Sequence, residues 1–179
     1  RCAFGGVGVS DEGNTPRNTS FGKSAPSVLS GYWQSADYFS LYDDDVRQKF
    51  SFPHRSGAWK IVGARDAKNK VAIHVRRGDY AADPIARNVH LVCDAEWYCK
   101  AWELMRANVA NAEAVVFSDD DAWARENLSL TGVVTFVASD PQRPSLVYMA
   151  EMSRCNHFII SNSSFSWWAA FLGGDKDKK

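Results

Sequence analysis

From Lys70 onward, apolar and largely β-branched runs alternate with stretches whose apolar positions recur at helical spacing. The runs at Val71–Arg76, Ala114–Ser118, Val133–Ala138 and His157–Ser161 predict four strands. Ala95–Val109, Asp119–Leu128, Pro144–Arg154 and Phe165–Leu172 predict helices, with start signals at Asp94, Ser118 and Pro144 and a stop at Gly173-Gly174. Strands alternating with helices imply right-handed βαβ crossovers, so the expected class is α/β: a doubly wound, Rossmann-like parallel sheet covered on both faces. Upstream the pattern weakens. Residues 1–30 are rich in Gly, Ser, Asn and Pro and read as loop, while residues 31–55 gather aromatics around a short helix, Asp44–Phe50, that Pro53 ends. No internal repeat aligns at any period.

Composition narrows the function classes. The 179 residues are 45% hydrophobic and 23% charged, the profile of a packed globular chain. Lys and Arg (21) balance Asp and Glu (21), so no bulk field favours a polyanion, and no nucleic-acid partner is expected. The best apolar run, Val133–Ala138, is interrupted by Thr135 and falls far short of the roughly 20 residues of a spanning helix. Cys2, Cys93, Cys99 and Cys155 form no CxxC pair, and His74, His90 and His157 lack paired spacing, so no metal is indicated. The chain opens at Arg1 and ends in a polar tail, residues 175–179, and is expected to be a fragment. Its compartment stays open.

In an open parallel sheet, ligands bind beyond the carboxyl ends of the strands. Here those ends read Arg76-Arg77-Gly78-Asp79, Ser118-Asp119-Asp120-Asp121, Ser139-Asp140 and Ser161-Asn162-Ser163-Ser164, all polar. On an extended segment His74 and Arg76 share one face, and Val75, Arg77 and Asp79 the other. One arginine can then serve a ligand, its planar fork suiting a terminal phosphate, while the second pairs with Asp79. Arg76 is the phosphate candidate. Asp119 and Asp121 have the DxD spacing of metal-dependent sugar-nucleotide enzymes, but the plainer reading is a capping box from Ser118 to Asp121. The turn Ser161–Ser164 leads from a buried strand into a helix, where free N–H groups and hydroxyls attract an anion; a simple serine cap is the alternative. Trp167 and Trp168 within that helix are read as core.

HVRRGDY (74–80), VFSDDDAW (116–123) and CNHFIISNSSFSWWAAFLG (155–173) together resemble the three motifs of the α-1,2-fucosyltransferase family, with GYWQSADYF (31–39) similar to a stretch upstream of them. These are inverting enzymes that move L-fucose from GDP-β-L-fucose to a galactose 2-hydroxyl. The resemblance implies the nucleotide-binding half of a GT-B glycosyltransferase, with residues 1–66 a partial N-terminal region and linker, 67–174 the GDP-fucose-binding domain and 175–179 the tail. It implies GDP-fucose as donor, a galactose-terminated glycan as acceptor, and no metal or other cofactor. Arg76 would hold the β-phosphate, Asp79 would fix the arginine pair, and His74, Arg77, Ser118, Asp119, Asp120, Asn162, Ser163 and Ser164 would line the donor site. The general base stays unassigned among Asp79, Asp83, His90 and Asp94; Asp83 lies in the loop just after the arginine strand, where a side chain could reach an acceptor, and Asp94 reads better as a helix cap. The family's glycine-rich amino-terminal start is missing, and further sheet elements are expected beyond the end of this chain. An inactive carbohydrate- or nucleotide-binding fragment, and a fucosyltransferase making α-1,6 or protein O-links, are the alternatives.

Overall fold

The computed structural model describes residues 8–11, 27–30, 40–50, 52, 69–85 and 92–173. The chain divides into two compact units, Arg1–Phe50 and Ser51–Lys179. In the first, β1 (Gly8–Asp11) and β2 (Ser27–Ser30) pair in parallel, and α1 spans Asp43–Lys49. The loop reading of residues 1–30 is therefore corrected at these two strands, which are too short, at four residues each, to show alternation. Helix α1 starts on Asp43, Asp44 and Asp45 and ends on Arg47 and Lys49, charges that complement its dipole.

The second unit is a four-stranded, all-parallel sheet of β3 (Lys70–Val75), β4 (Glu113–Ser118), β5 (Val133–Phe136) and β6 (His157–Ile160), in the order β5-β4-β3-β6. The chain builds outward from β3 to β5, then returns to lay β6 on the other side of β3. A right-handed crossover can make that reversal only by changing faces, and the helices obey. α3 (Ala95–Asn108) and α4 (Asp121–Asn127) contribute Tyr98, Trp102 and Ala124 to one core with Val71, Ile73 and Val75. α5 (Ser145–Met152) and α6 (Ser164–Leu172) contribute Met152 and Ala169 to a second core with Ala72 and Phe117. Burial of a side chain the size of Ile73 or Met152 stabilises by about 1.5–3 kcal/mol. Trp102, fully buried, donates its indole N–H to the Thr131 carbonyl at 2.9 Å, so its one polar group is satisfied.

The α/β expectation and the two covered faces are thus met, with each element displaced by at most two residues. β3 stops at Val75, not Arg76, and a short helix α2 (Gly78–Ala82) follows where no helix was expected. Asp94 caps α3, accepting from the Trp97 amide at 2.8 Å. The cap expected at Ser118 is corrected to Asp120, whose carboxylate accepts from the Trp123 amide at 3.2 Å. Ser118 instead donates to the Val75 carbonyl and accepts from the Asp120 amide, tying the ends of β3 and β4 together.

Candidate functional site

The direction of strand connection reverses between β3 and β6, and the flanking chain ends diverge there to leave a crevice. A cleft of about 560 Å³ opens over this edge, and His74, Arg76, Ser118, Asp119, Ser163 and Ser164 all line it. Six of the expected site residues, drawn from three separated segments, are thus brought to one cavity.

Arg76 sits just past β3, its guanidinium gripped on two sides. Nη1 donates to Asp119 Oδ2 at 2.5 Å and Nη2 to Asp79 Oδ1 at 2.7 Å, and the plane lies 5.0 Å from the Tyr80 ring centroid. Two of its five N–H donors are spent, which orients the remainder. The other Asp119 oxygen accepts from the Arg77 amide at 2.8 Å, so one carboxylate fixes both the backbone and the side chain. Gly78 is what lets Asp119 come this close. A Cβ there would stand 2.7 Å from Asp119 Oδ2 and 3.2 Å from its Cγ.

The second arginine does not pair with Asp79, as alternation along an extended segment suggested. Because the strand ends at Val75 and a helical turn begins, residues 76 and 79 meet at i,i+3 spacing. Arg77 turns away from the cleft, its Nε 3.5 Å from Asp120 and its guanidinium 3.8 Å from the Trp123 ring centroid. Arg77, Asp79 and Asp120 therefore stand behind the cleft, and Asp79 fixes Arg76 alone. Asp121 pairs with Arg125 at 3.0 Å, so the two DxD carboxylates serve different arginines. Among the described residues, no cluster of three or more His, Cys, Asp and Glu side chains is placed to hold a metal.

Across the crevice, β6 delivers Ser161 and then the start of α6. His74 Nδ1 lies 3.2 Å from Ser161 Oγ, bridging β3 to β6. Burial pushes the imidazole down to about 4, against the pull of Asp119 and with the help of Arg76, so His74 is neutral at pH 7. Its ring centroid stands 5.5 Å from that of Phe165. Ser163 occupies the cap position of α6, yet its hydroxyl caps nothing; the simple serine-cap alternative is not realised. Ser163, Ser164 and Phe165, at the start of this nine-residue helix where the first amides have no intrahelical acceptor, line the same cleft as Arg76.

Below this edge, the Tyr98 hydroxyl lies against Ser161, Cys93 and the Arg76 backbone, buried and without a hydrogen bond of good geometry. Burial raises its pKa far above the ordinary value and raises that of the Cys93 thiol, which meets the Asn162 backbone. Asn162 itself is exposed and lies outside the cleft. Of the base candidates, Asp83 is exposed and accepts from the Ile85 amide at 2.8 Å, and Asp94 is the α3 cap. His90 lies outside the described residues. Trp167 and Trp168 do not line the cleft; they form an aromatic group in which Trp167 stacks on Phe171 at 5.1 Å.

The cleft also has a wall that motif reading did not single out as a site. Ser139, Asp140, Pro141 and Tyr148 line it beyond β5. Ser139-Asp140 was visible as a polar strand ending, whereas Tyr148 looks like one more apolar-face residue of a helix.

The chain matches the model of Glycosyl transferase family 11 over residues 10–179. It is 32% identical over 147 residues to an alpha-1,2-colitosyltransferase of Escherichia coli, covering 79% of this chain and 50% of that protein. It is 29% identical over 156 residues to galactoside alpha-(1,2)-fucosyltransferase 1 of Homo sapiens, covering 82% and 43%. It is 36% identical over 107 residues to galactoside 2-alpha-L-fucosyltransferase Sec1 of Mus musculus, covering 59% and 29%. The chain spans half or less of the length of these relatives. No solved structure matches it at comparable significance.

Proposed function

Because the chain belongs to glycosyl transferase family 11, we propose that it carries the donor side of an enzyme transferring L-fucose from GDP-β-L-fucose to the 2-hydroxyl of a terminal galactose, with inversion. The observation that carries this reading is Arg76, held by Asp119 and Asp79 and facing the uncapped start of α6 across one cleft. As the sugar–phosphate bond breaks, negative charge builds on the departing diphosphate. A preorganised guanidinium, amide N–H groups and serine hydroxyls stabilise that charge without rearranging, and one such donor contributes about 2.7–4 kcal/mol.

No metal is needed on this reading. Asp119 and Asp121, the carboxylates that would hold one, are committed to Arg76 and Arg125, and Arg76 with the helix start takes over the neutralising role. Inversion requires in-line attack by the acceptor hydroxyl, assisted by a base. Asp79, Asp83 and Asp94 do not line the cleft, and the residues that do support the leaving-group side of the reaction. The α-1,2 linkage is common to the relatives' names while the transferred sugar is not. The colitosyltransferase match, over 79% of the chain, makes a colitosyl donor the second reading.

The test is calorimetric titration of the chain with GDP in EDTA, wild type against Arg76→Ala, followed by product linkage analysis with GDP-fucose and a galactoside. Micromolar GDP binding that drops at least tenfold in a folded Arg76→Ala variant is expected. Equal binding by the variant would remove Arg76 from the phosphate, and binding that needs added Mn²⁺ would restore the DxD reading. A product linked other than α-1,2 would favour the other acceptor classes.

A further inference from the structure

Resting on the donor-site reading above, we propose that Asp140 reads the base of the donor nucleotide and restricts it to guanine. The cleft does not stop at the phosphate-binding edge. It runs across the ends of β4 and β5 to Asp140 and Tyr148, over an apolar floor of Phe117 and Val137. Two strand spacings separate the ends of β3 and β5, about 10 Å, a gap that a ribose and an α-phosphate bridge between a β-phosphate and a base. With Arg76 and the α6 start at one end, a nucleoside diphosphate lying along the cleft brings its base to the Asp140 wall.

That wall is exposed but fixed. The Tyr148 hydroxyl accepts from the Asp140 amide at 2.7 Å and donates to the Ala138 carbonyl at 3.3 Å, clamping the loop on both sides of Ser139. The Asp140 carbonyl accepts from the Arg143 amide at 3.0 Å, and its Oδ1 accepts from the Gln142 amide at 2.9 Å. Tyr148 is held in turn: the Arg143 guanidinium lies 4.5 Å from its ring centroid and is anchored at 2.5 Å by buried Glu151. This anchoring commits the loop's arginine to Glu151, and Asp140, which lines the cleft, spends Oδ1 on Gln142 and keeps its second oxygen for a ligand.

An ionised carboxylate only accepts hydrogen bonds. The guanine edge offers N1–H and the N2 amine side by side, two parallel donors that fit a carboxylate. Adenine sets an amine beside an acceptor, and uracil and cytosine present no such adjacent pair. Asp140 therefore favours guanine and opposes the others by facing lone pair with lone pair. A carboxylate bound to ribose hydroxyls, the other use of an acid near a nucleotide cleft, would not distinguish bases at all.

The experiment is calorimetric titration of wild type and Asp140→Asn with GDP, IDP, XDP and ADP. Asparagine keeps the shape and the oxygen that Gln142 needs, but offers an N–H where xanthine carries a carbonyl. Wild type is expected to bind GDP at least tenfold more tightly than IDP or ADP. Asp140→Asn is expected to lose at least tenfold for GDP and to prefer XDP, with its melting temperature unchanged. A general loosening of the loop would weaken all four ligands together and would not reverse the GDP–XDP order. Equal binding of GDP, IDP and ADP by wild type, or an unchanged GDP–XDP ratio in Asp140→Asn, would overturn the assignment. Absence of binding by any of the four to the folded wild type would overturn the donor-site reading itself, and the base assignment with it.

Discussion

Replacing Gly78 by alanine tests how Arg76 is held, because the substitution adds one methyl group and touches no charge. The new Cβ would meet Asp119 Oδ2 at 2.7 Å; restoring an ordinary contact of 3.4 Å takes a movement of about 0.7 Å. That oxygen has no slack, since its bond to Arg76 Nη1 is already 2.5 Å and its partner oxygen is tied to the Arg77 amide. Asp119 must give up at least one of the two. A hydrogen bond to a charged group is worth about 1.5–3 kcal/mol, and the lower figure applies here because Arg76 and Asp119 are 31% and 25% exposed. Against this, alanine is favoured over glycine in a helix by roughly 0.5–1 kcal/mol, and Gly78 has no positive φ that alanine would strain. Net stability should therefore fall by about 1 kcal/mol or less. Ligand affinity should suffer more. A released arginine must be reordered on binding, at a cost of up to about 2 kcal/mol, so GDP should bind roughly 5–30-fold more weakly. Calorimetry with GDP and thermal unfolding read the two effects separately. Once Asp119→Ala has removed the obstructing carboxylate, Gly78→Ala should be neutral, a non-additivity that only direct contact explains. Affinity within twofold of wild type in Gly78→Ala, or full additivity in the double variant, would refute the clamp.

Two further outcomes follow from the environments of single residues. His74 has a pKa of about 4 when folded against an ordinary 6.5, so the unfolded chain takes up a proton first and stability rises with pH. The contribution, about 3 kcal/mol, is complete above pH 6.5 and is lost as pH falls toward 4; His74→Gln should flatten that part of the denaturant-stability profile, and an unchanged slope would contradict a buried neutral imidazole. Trp167→Ala removes a ring stacked on Phe171 and should cost about 3 kcal/mol. GDP affinity at low temperature should stay within twofold, whereas a selective loss of binding with unchanged melting would make Trp167 a ligand contact.

The second unit was legible because a parallel sheet leaves strong marks: β-branched strands such as Lys70–Val75, buried throughout all but its first residue, and helices announced by residues such as Asp94. What could not be read was the pairing of charges. Whether Asp79 meets Arg76 or Arg77 depends on a single residue's difference in where β3 stops, and boundaries are the least determined part of any pattern. Capping by Asp120 instead of Ser118 has a similar origin, because Ser118 is drawn off by the Val75 carbonyl of a neighbouring strand. The link from Asp140, itself legible as a polar strand ending, to Tyr148 escaped for another reason. Their relation is a hydrogen bond between a loop and a helix, made possible by chain reversal and marked by no spacing in the sequence.

The charge balance around the cleft explains why orientation matters more than number here. Arg76 and Arg77 face Asp79, Asp119 and Asp120, two cations against three anions, and His74, Tyr98 and Cys93 beneath them are all shifted toward their neutral forms. A site with net negative formal charge cannot gather a diphosphate by long-range attraction. It can bind one through directed donors at short range: the free N–H groups of Arg76, the first amides of α6, and the Ser163 and Ser164 hydroxyls. The acidic residues then act as geometry, turning the guanidinium toward the cleft while the neutral floor leaves its field undiminished from below. Buried polar groups under the crevice fit the same need. His74 with Ser161 ties β3 to β6 where the sheet reverses, above the fully buried Tyr98 ring, and so holds Arg76 at a set distance from the helix start it works with.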